Sequence, residues 1–328
     1  MSHPKQKSAS QIGAPISAQE YQQLTTNFAQ RYPNQTPSVF LSREHLLNTI
    51  EGVSDLSGIL FAYGLNDAND PSTRRIILVP ARNLTNGESG GIPVIPSKGY
   101  ICENGERIRF DQFMQLLGNH VSDFKKVKEE IPLTKLPRGY FWGINKLKKL
   151  LEVDQCGGLV FHFGYNPEMR AACRQFQCVL EVVDGDNKSL NMFLEYGQCS
   201  PPCDIDPNGP GVTTTGSDCI ASIAAERFVK DAEDKLNELR AFRDNWLVAQ
   251  ENGQALYEMY YYLSRPLVAE IQTRADQEAI WYDIYHNGIS NCLDLIRENR
   301  NEEAKVSYVS MMKDLAHRFL GQEVTIEA

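Results

Sequence analysis

The sequence predicts an α+β protein in which a helix-helix-strand-strand unit occurs twice in tandem, followed by an all-α helical C-terminal domain. Three observations carry this prediction. The segment Gly58-Ile-Leu-Phe-Ala-Tyr-Gly-Leu-Asn66 lines up with Gly158-Leu-Val-Phe-His-Phe-Gly-Tyr-Asn166, sharing Gly, Phe, Gly and Asn. Upstream, Ile16 to Asn27 matches Ile108 to Asn119, with Tyr21 over Phe113, Gln23 over Gln115 and Leu24 over Leu116, and between these blocks Leu47 and Ile50 fall over Leu147 and Leu150. Blocks that recur in one order mark a duplication. Finally, apolar residues from Ile220 onward keep helical spacing.

In the first copy Ser17 and Glu20 have the spacing of a capping box, and Tyr21, Leu24 and Phe28 recur at helical intervals. A second helix follows Ser42, with Leu46, Leu47 and Ile50 as its apolar stripe. The run Ile59 to Tyr63 is too short for a helix and rich in branched and aromatic residues, so it reads as a strand. A turn-rich break from Asn66 to Ser72 leads to a second strand at Ile76 to Val79. The second copy repeats this with strands at Leu159 to Phe163 and Cys178 to Val183. Asp184-Gly185 is a tight-turn signal that makes Leu190 to Glu195 a third strand of a small antiparallel sheet.

Ser200 to Ser217 is dense in Pro, Gly, Thr and Asp, which suits a linker. The expected division is therefore 1–100, 101–199, a linker at 200–217 and a helical domain at 218–328. Ile220 to Trp246 reads as one long amphipathic helix, and a tyrosine-rich helix follows Asn252-Gly253. Ser264-Arg265-Pro266 reads as a fresh helix start. Two more helices run through Trp281, Ile284 and Tyr285 to Leu295, and from Asn301 to Leu320 with Gly321 as terminator.

A chain of 328 residues with 42% hydrophobic and 23% charged residues matches globular averages. No run approaches the roughly 20 apolar residues of a bilayer span, and no apolar segment follows the polar start Met1 to Ser10, so a cytoplasmic location and no membrane partner are expected. A net charge of −9 argues against nucleic acid as a partner, since phosphate neutralisation needs clustered cations. Eight cysteines in a reducing compartment are expected as free thiols.

Part of the helical half resembles a known family. Cys219-Ile-Ala-Ser-Ile-Ala-Ala225, Leu239-Arg-Ala-Phe-Arg-Asp244, Gly253-Gln-Ala255 and Tyr260-Tyr-Tyr-Leu-Ser-Arg-Pro266 resemble the bacterial CFI-box C-terminal domain, over roughly residues 219–271. The box here lacks the Phe after its Cys, has Glu226-Arg227 where Tyr-Gly is usual, and has Arg265 in place of a Pro. The resemblance implies a domain type and no reaction.

Several motifs invite a chemical reading. Gly87-Glu-Ser-Gly-Gly91 fits G-x-S-x-G, but Ile92-Pro-Val-Ile-Pro96 cannot supply the helix that a nucleophile elbow at Ser89 requires. Cys199 and Cys203 have three residues between them, a spacing zinc tolerates, with Cys156, Cys173, Cys178 or His162 available to complete a site. Cys178 in a strand and Cys156 before one read as small buried thiols, so no metal and no cofactor are expected. His162, within an apolar strand, reads as a hydrogen-bonded core residue. Lys125, Lys126, Lys128, Lys135, Arg138, Lys146, Lys148 and Lys149 read as a solvated basic face.

Consecutive residues on a helix lie ~100° apart, so Tyr260, Tyr261 and Tyr262 cannot all face inward. At least one is expected to be exposed as an anchor for a partner. No set of acid, base and nucleophile converges. The sequence thus points to a non-enzymatic interaction or scaffold protein, the duplicated unit for partner binding and the helical domain for assembly, with a protein partner or self-association. The alternative is a hydrolase or metal-dependent enzyme with its site between the repeats.

Overall fold

Gly58–Leu65 and Gly158–Tyr165 are strands, as their short apolar runs require, and each lies inside its own antiparallel sheet with a neighbour on both sides. The computed structural model describes residues 9–36, 38–51, 53–82, 92–93, 100–127, 136–169, 175–195, 198–200 and 219–326. Chain order in the strand-rich part is β1 (Ala14–Pro15), α1 (Ala18–Arg31), β2 (Ser38–Ser42), α2 (Arg43–Ile50), β3 (Gly58–Leu65), β4 (Arg74–Arg82), β5 (Ile92–Pro93), β6 (Tyr100–Cys102) and β7 (Arg107–Ile108). It continues with α3 (Phe110–Val127), β8 (Gly139–Gly143), α4 (Ile144–Leu151), β9 (Gly158–Tyr165), β10 (Phe176–Val183), β11 (Ser189–Glu195) and β12 (Gln198–Ser200). The chain is α+β and then helical, with two units: Met1–Arg109 with Asn119–Asp204, and Phe110–Gly118 with Ile205–Ala328.

Among the strands that escape the sequence reading, β2 and β8 are the longest. Each is five residues long and runs directly into the helix it precedes, so its apolar residues merge with the helical pattern. They are also the strands that change sheets. The first sheet has the order β1-β11-β10-β9-β2 and the second β12-β8-β3-β4-β6-β7, with β5 on β4. Strand β2 of the first copy therefore pairs with β9 of the second copy, and β8 of the second with β3 of the first.

The registers are equivalent. Ser42 opposes Gly158 and Ser38 opposes His162, just as Gly143 opposes Gly58 and Gly139 opposes Ala62. The β3–β4 ladder runs from Gly58↔Ala81 to Leu65↔Arg74, and the β9–β10 ladder from Gly158↔Val183 to Tyr165↔Phe176. The two halves are thus related by exchange of one strand each. This equivalence moves the helix alignment by one residue: the N-caps are Ser42 and Gly143, so Leu46 and Thr49, not Leu47 and Ile50, hold the buried places matched by Leu147 and Leu150.

Alternation along β9 sends Leu159, Phe161 and Phe163 into a core shared with Ile59, Phe61 and Tyr63 of β3. Equivalent residues meet there, Phe61 on Phe161 at 6.0 Å and Tyr63 on Phe163 at 5.5 Å between ring centroids. Trp142 of β8 stands edge-on to both Phe61 and Phe161. Helix α1, capped by Ser17 through the amide of Glu20, lays Leu24 on Val179 and Phe193.

The helical unit contains α5 (Ile220–Phe228), α6 (Ala232–Asn245), α7 (Gly253–Gln272), α8 (Gln277–Asp283), a π-helical stretch (Ile284–Ile289), α9 (Ser290–Arg297) and α10 (Asn301–Leu320). The expected long helix is two helices, because Val229 is extended (φ −134°, ψ 142°) and separates α5 from α6. Pro266 does not start a helix but lies inside α7. The proline removes one backbone hydrogen bond, yet Leu256, Leu263, Leu267 and Ile271 form one fully buried stripe on both sides of it. Burial of that stripe outweighs the missing bond. Among the described residues no helix is long and apolar enough to cross a membrane.

The exchanged strands cross at glycines. A Cβ on Gly58 would lie 2.1 Å from the Trp142 carbonyl oxygen, and one on Gly158 would lie 2.4 Å from that of Leu41. Gly58→Ala and Gly158→Ala should each cost about 1–3 kcal/mol by overpacking against backbone. Denaturant unfolding followed by circular dichroism checks it, and a loss at one glycine only would break the equivalence of the halves.

Candidate functional site

Three stretches separated in sequence close on one cavity of the helical unit, of about 250 Å³. Cys219 and Ser222 come from the start of α5, Leu239, Phe242 and Arg243 from α6, and Tyr260 and Tyr261 from α7, with Tyr308 of α10 completing the wall. Helix α5 has no side-chain cap of its own. Its first-turn amide at Ala221 instead donates to the Tyr260 hydroxyl at 3.2 Å, and the same hydroxyl is hydrogen-bonded to the Cys219 thiol. Burial, together with Cys219, pushes the Tyr260 phenol well above its ordinary pKa, so it stays protonated.

Arg243 holds the opposite wall. Its Nε and Nη2 donate to the two carboxylate oxygens of Asp244 at 2.6 and 2.8 Å, and Nη1 donates to the Tyr261 hydroxyl. The guanidinium lies over the Tyr257 ring at 5.1 Å and the Tyr261 ring at 5.6 Å. Burial acts to lower its pKa, but Asp244 and the tyrosines outweigh burial and raise it. The rest of the lining is largely aliphatic and aromatic, including Leu236, Leu247, Ile289 and Met311. Such a cavity suits an apolar group with a polar end near Arg243. A wider, more open groove of about 700 Å³ lies beside Asn287, Glu303 and Asp314.

The tyrosines expected to anchor a partner lie at and near this cavity. Tyr260 is buried, whereas Tyr261 and Tyr262 are half-buried, so none of the three is exposed. Consecutive side chains do point in different directions, but each direction is covered: Tyr260 by α5, Tyr261 by Arg243, and Tyr262 by Phe110 and Phe113, at 5.7 and 5.4 Å.

Two polar clusters occupy the strand-rich unit. His162 is hydrogen-bonded to Glu181 at 2.7 Å, and Tyr21 donates to the same carboxylate at 3.3 Å. Burial and the Glu181 charge push the Tyr21 phenol up to about 12. Although burial acts to raise Glu181, its hydrogen bonds to His162, Ser189 and Tyr21 leave it below the usual value. The second cluster centres on Arg74, whose side chain is 3% exposed. Arg74 approaches Asp123 at 3.6 Å, donates to Gln35 at 3.2 Å and meets His120 Nδ1 at 3.3 Å. His120 Nε2 donates to the Pro137 carbonyl, which leaves Nδ1 free to accept from Arg74 and makes the ring neutral. Burial and then Arg74 hold its pKa well below 6.5.

Cys178 bonds to the Tyr63 hydroxyl at 2.7 Å, and burial raises its pKa well above normal. Cys102, Cys156, Cys178, Cys219 and Cys292 are free thiols, and among the described residues no three His, Cys, Asp or Glu side chains gather to hold a metal ion. Ser89, Cys173, Cys203, Lys128 and Lys135 lie outside the described residues, and of Cys199 only the backbone pairing with Tyr140 is described. Lys148 and Lys149 are exposed on α4, on the solvated face expected of them.

Arg74→Ala should destabilise the fold by about 3–5 kcal/mol, because it removes a buried cation that pairs with Asp123 and bonds to Gln35 and His120. Urea unfolding measures it. His120 is depressed in the fold, so its contribution to stability is complete above pH 6.5 and is lost as pH falls below that value toward the folded-state pKa. Unfolding free energy should therefore decline in that window in the native chain and decline less in His120→Asn.

Comparison of the chain with family models, with curated proteins and with solved structures finds no match.

Proposed function

We propose that this chain is a non-enzymatic interaction or scaffold protein whose helical unit docks another protein through the Cys219–Arg243–Tyr260 cavity. The observation that carries the reading is that cavity itself. It is largely apolar and, at about 250 Å³, lies just below the usual range of small-molecule sites, which suits one large apolar side chain of a partner. On the resemblance to the CFI-box domain, the box cysteine, the Leu-Arg-x-Phe-Arg-Asp segment and the tyrosine segment are the stretches that build it.

The state of the titratable groups supports binding over proton transfer. A general acid or base works best with a pKa near the working pH. Tyr21 is raised to about 12, Cys102 is raised to about 11 and His120 is held well below its ordinary value. All three shifts move away from neutrality. The side chains of the His162 and Arg74 clusters are also bonded to one another, as structural networks are.

Leu239 is half-buried at the cavity wall, so Leu239→Trp fills the space with little disturbance of the helix behind it. Quantitative affinity capture from the native cell, comparing the wild type with Leu239→Trp, tests the proposal. A partner retained by the wild type should be lost by the variant while both melt within a few degrees of each other. Equal capture by the two proteins would remove the cavity from the interaction.

A further inference from the structure

The two halves match in sheet order and register but differ at one edge. In the second sheet β8 has neighbours on both sides, β3 and β12, the latter through Phe141↔Gln198 and Gly139↔Ser200. Its counterpart β2 has β9 on one side, and among the described residues no strand on the other.

The direction of the free backbone groups follows from one hydrogen bond. The Arg43 amide donates to the Gly157 carbonyl at 2.9 Å, which makes that pair a hydrogen-bonded one. Antiparallel pairs alternate, so Val39 and Leu41 bond to β9 while the N–H and C=O of Ser38 and Phe40 and the N–H of Ser42 point to the open edge, the Ser42 carbonyl being taken by the first turn of α2. The equivalent bond, Ile144 to Ser57, sets the same phase in the second sheet, where the outward amide of Gly143 donates to Ile12. Among the described residues that edge is filled and the other is not.

We propose that β2 is a self-association edge, on which a second copy of this chain lays its own β2 antiparallel across a two-fold axis at Phe40. The register is self-complementary: Phe40 opposes its twin and exchanges both bonds with it, and Ser38 opposes Ser42, the Ser42 amide of each strand donating to the Ser38 carbonyl of the other. The charge pattern allows it, since Ser38-Val-Phe-Leu-Ser42 carries no charge that would oppose a like strand. Edges that must remain single are usually blunted by a charge, a bulge or an internal proline, and β2 has none of these charges or prolines. Phe40 is also 41% exposed, so pairing covers an aromatic side chain as well as the backbone. Two five-stranded sheets become one continuous sheet. This surface lies on the strand-rich unit and is independent of the proposed docking cavity.

Sedimentation velocity of the full chain over a range of concentrations tests the proposal. The wild type should sediment as a dimer and Phe40→Lys, which sets two like charges against each other, as a monomer with an unchanged circular dichroism spectrum. Because Phe40 also packs over Gly158, a second variant guards against misfolding. In Phe40→Cys the twin residues would have Cα atoms about 5.5 Å apart, within disulfide reach, and mild oxidation should yield a dimer whose linking peptide contains residue 40 on both sides. A wild type that stays monomeric, including one whose β2 binds an extended segment of another protein, overturns the proposal. So does a dimer that survives Phe40→Lys and does not cross-link at residue 40.

Discussion

The exchange of β2 and β8 between the halves is the constraint on which the strand-rich unit depends. Each five-residue strand supplies its sheet with a ladder and its neighbour with a wall. Strand β8 brings Trp142 against Phe61 and Phe161, and β2 brings Leu41 into the same core beside Leu159. The strands then run straight into α2 and α4, so one short stretch of chain fixes a sheet edge and a helix position together. Glycines at 58 and 158 make the crossings close enough for this, since any Cβ there meets the carbonyl oxygen of the exchanged strand.

On that common backbone the side chains have diverged. His162 and Glu181 occupy the register positions held by Ala62 and Val79 in the other half. In the opposite direction, Arg74 stands where Phe176 stands. Helix α1 sets Phe28 on Phe163 and α3 sets His120 on Tyr63, so an aromatic cluster on one side faces a buried cation and neutral imidazole on the other. Backbone ladders tolerate such differences because they are indifferent to side-chain identity, provided every buried polar group finds a partner. The networks around Arg74 and Glu181 recruit partners from both halves, Gln35 and Tyr21 among them, although the buried Nε of Arg74 makes no hydrogen bond.

Much of this fold was legible in the sequence. The Gly58 and Gly158 blocks announce the duplication because a buried strand tolerates little variation, and Asp184-Gly185 announces the last hairpin for reasons of turn geometry. Strand exchange was not legible, because pairing is a long-range choice and a five-residue strand fused to a helix has no period of its own. Pro266 was misleading for a related reason: local propensity argues for a break, and only the buried stripe from Leu256 to Ile271 shows why the helix continues. The cavity was half legible. Its parts, Cys219, Arg243 and Tyr260, were visible as separate stretches, but their convergence depends on a tyrosine of α7 capping α5, an interaction that leaves no mark on sequence spacing. The adjacent tyrosines are likewise covered by residues distant in sequence, Tyr260 by α5, Tyr261 by Arg243 and Tyr262 by Phe110 and Phe113.

Strand exchange also has a meaning for synthesis. A chain emerging from the ribosome presents β3 and β4 as a hairpin long before Gly139–Gly143 exists, and β2 waits longer still for Gly158–Tyr165. The nascent first half therefore carries an aliphatic, unpaired strand edge through most of the translation of the second, the condition under which sheets are prone to pair with the wrong neighbour. Folding of the strand-rich unit is thereby tied to the appearance of β9, and its contacts are of the distant kind that close slowly. The duplication that gives the unit its symmetry makes its first half a debtor to its second until β9 has been made.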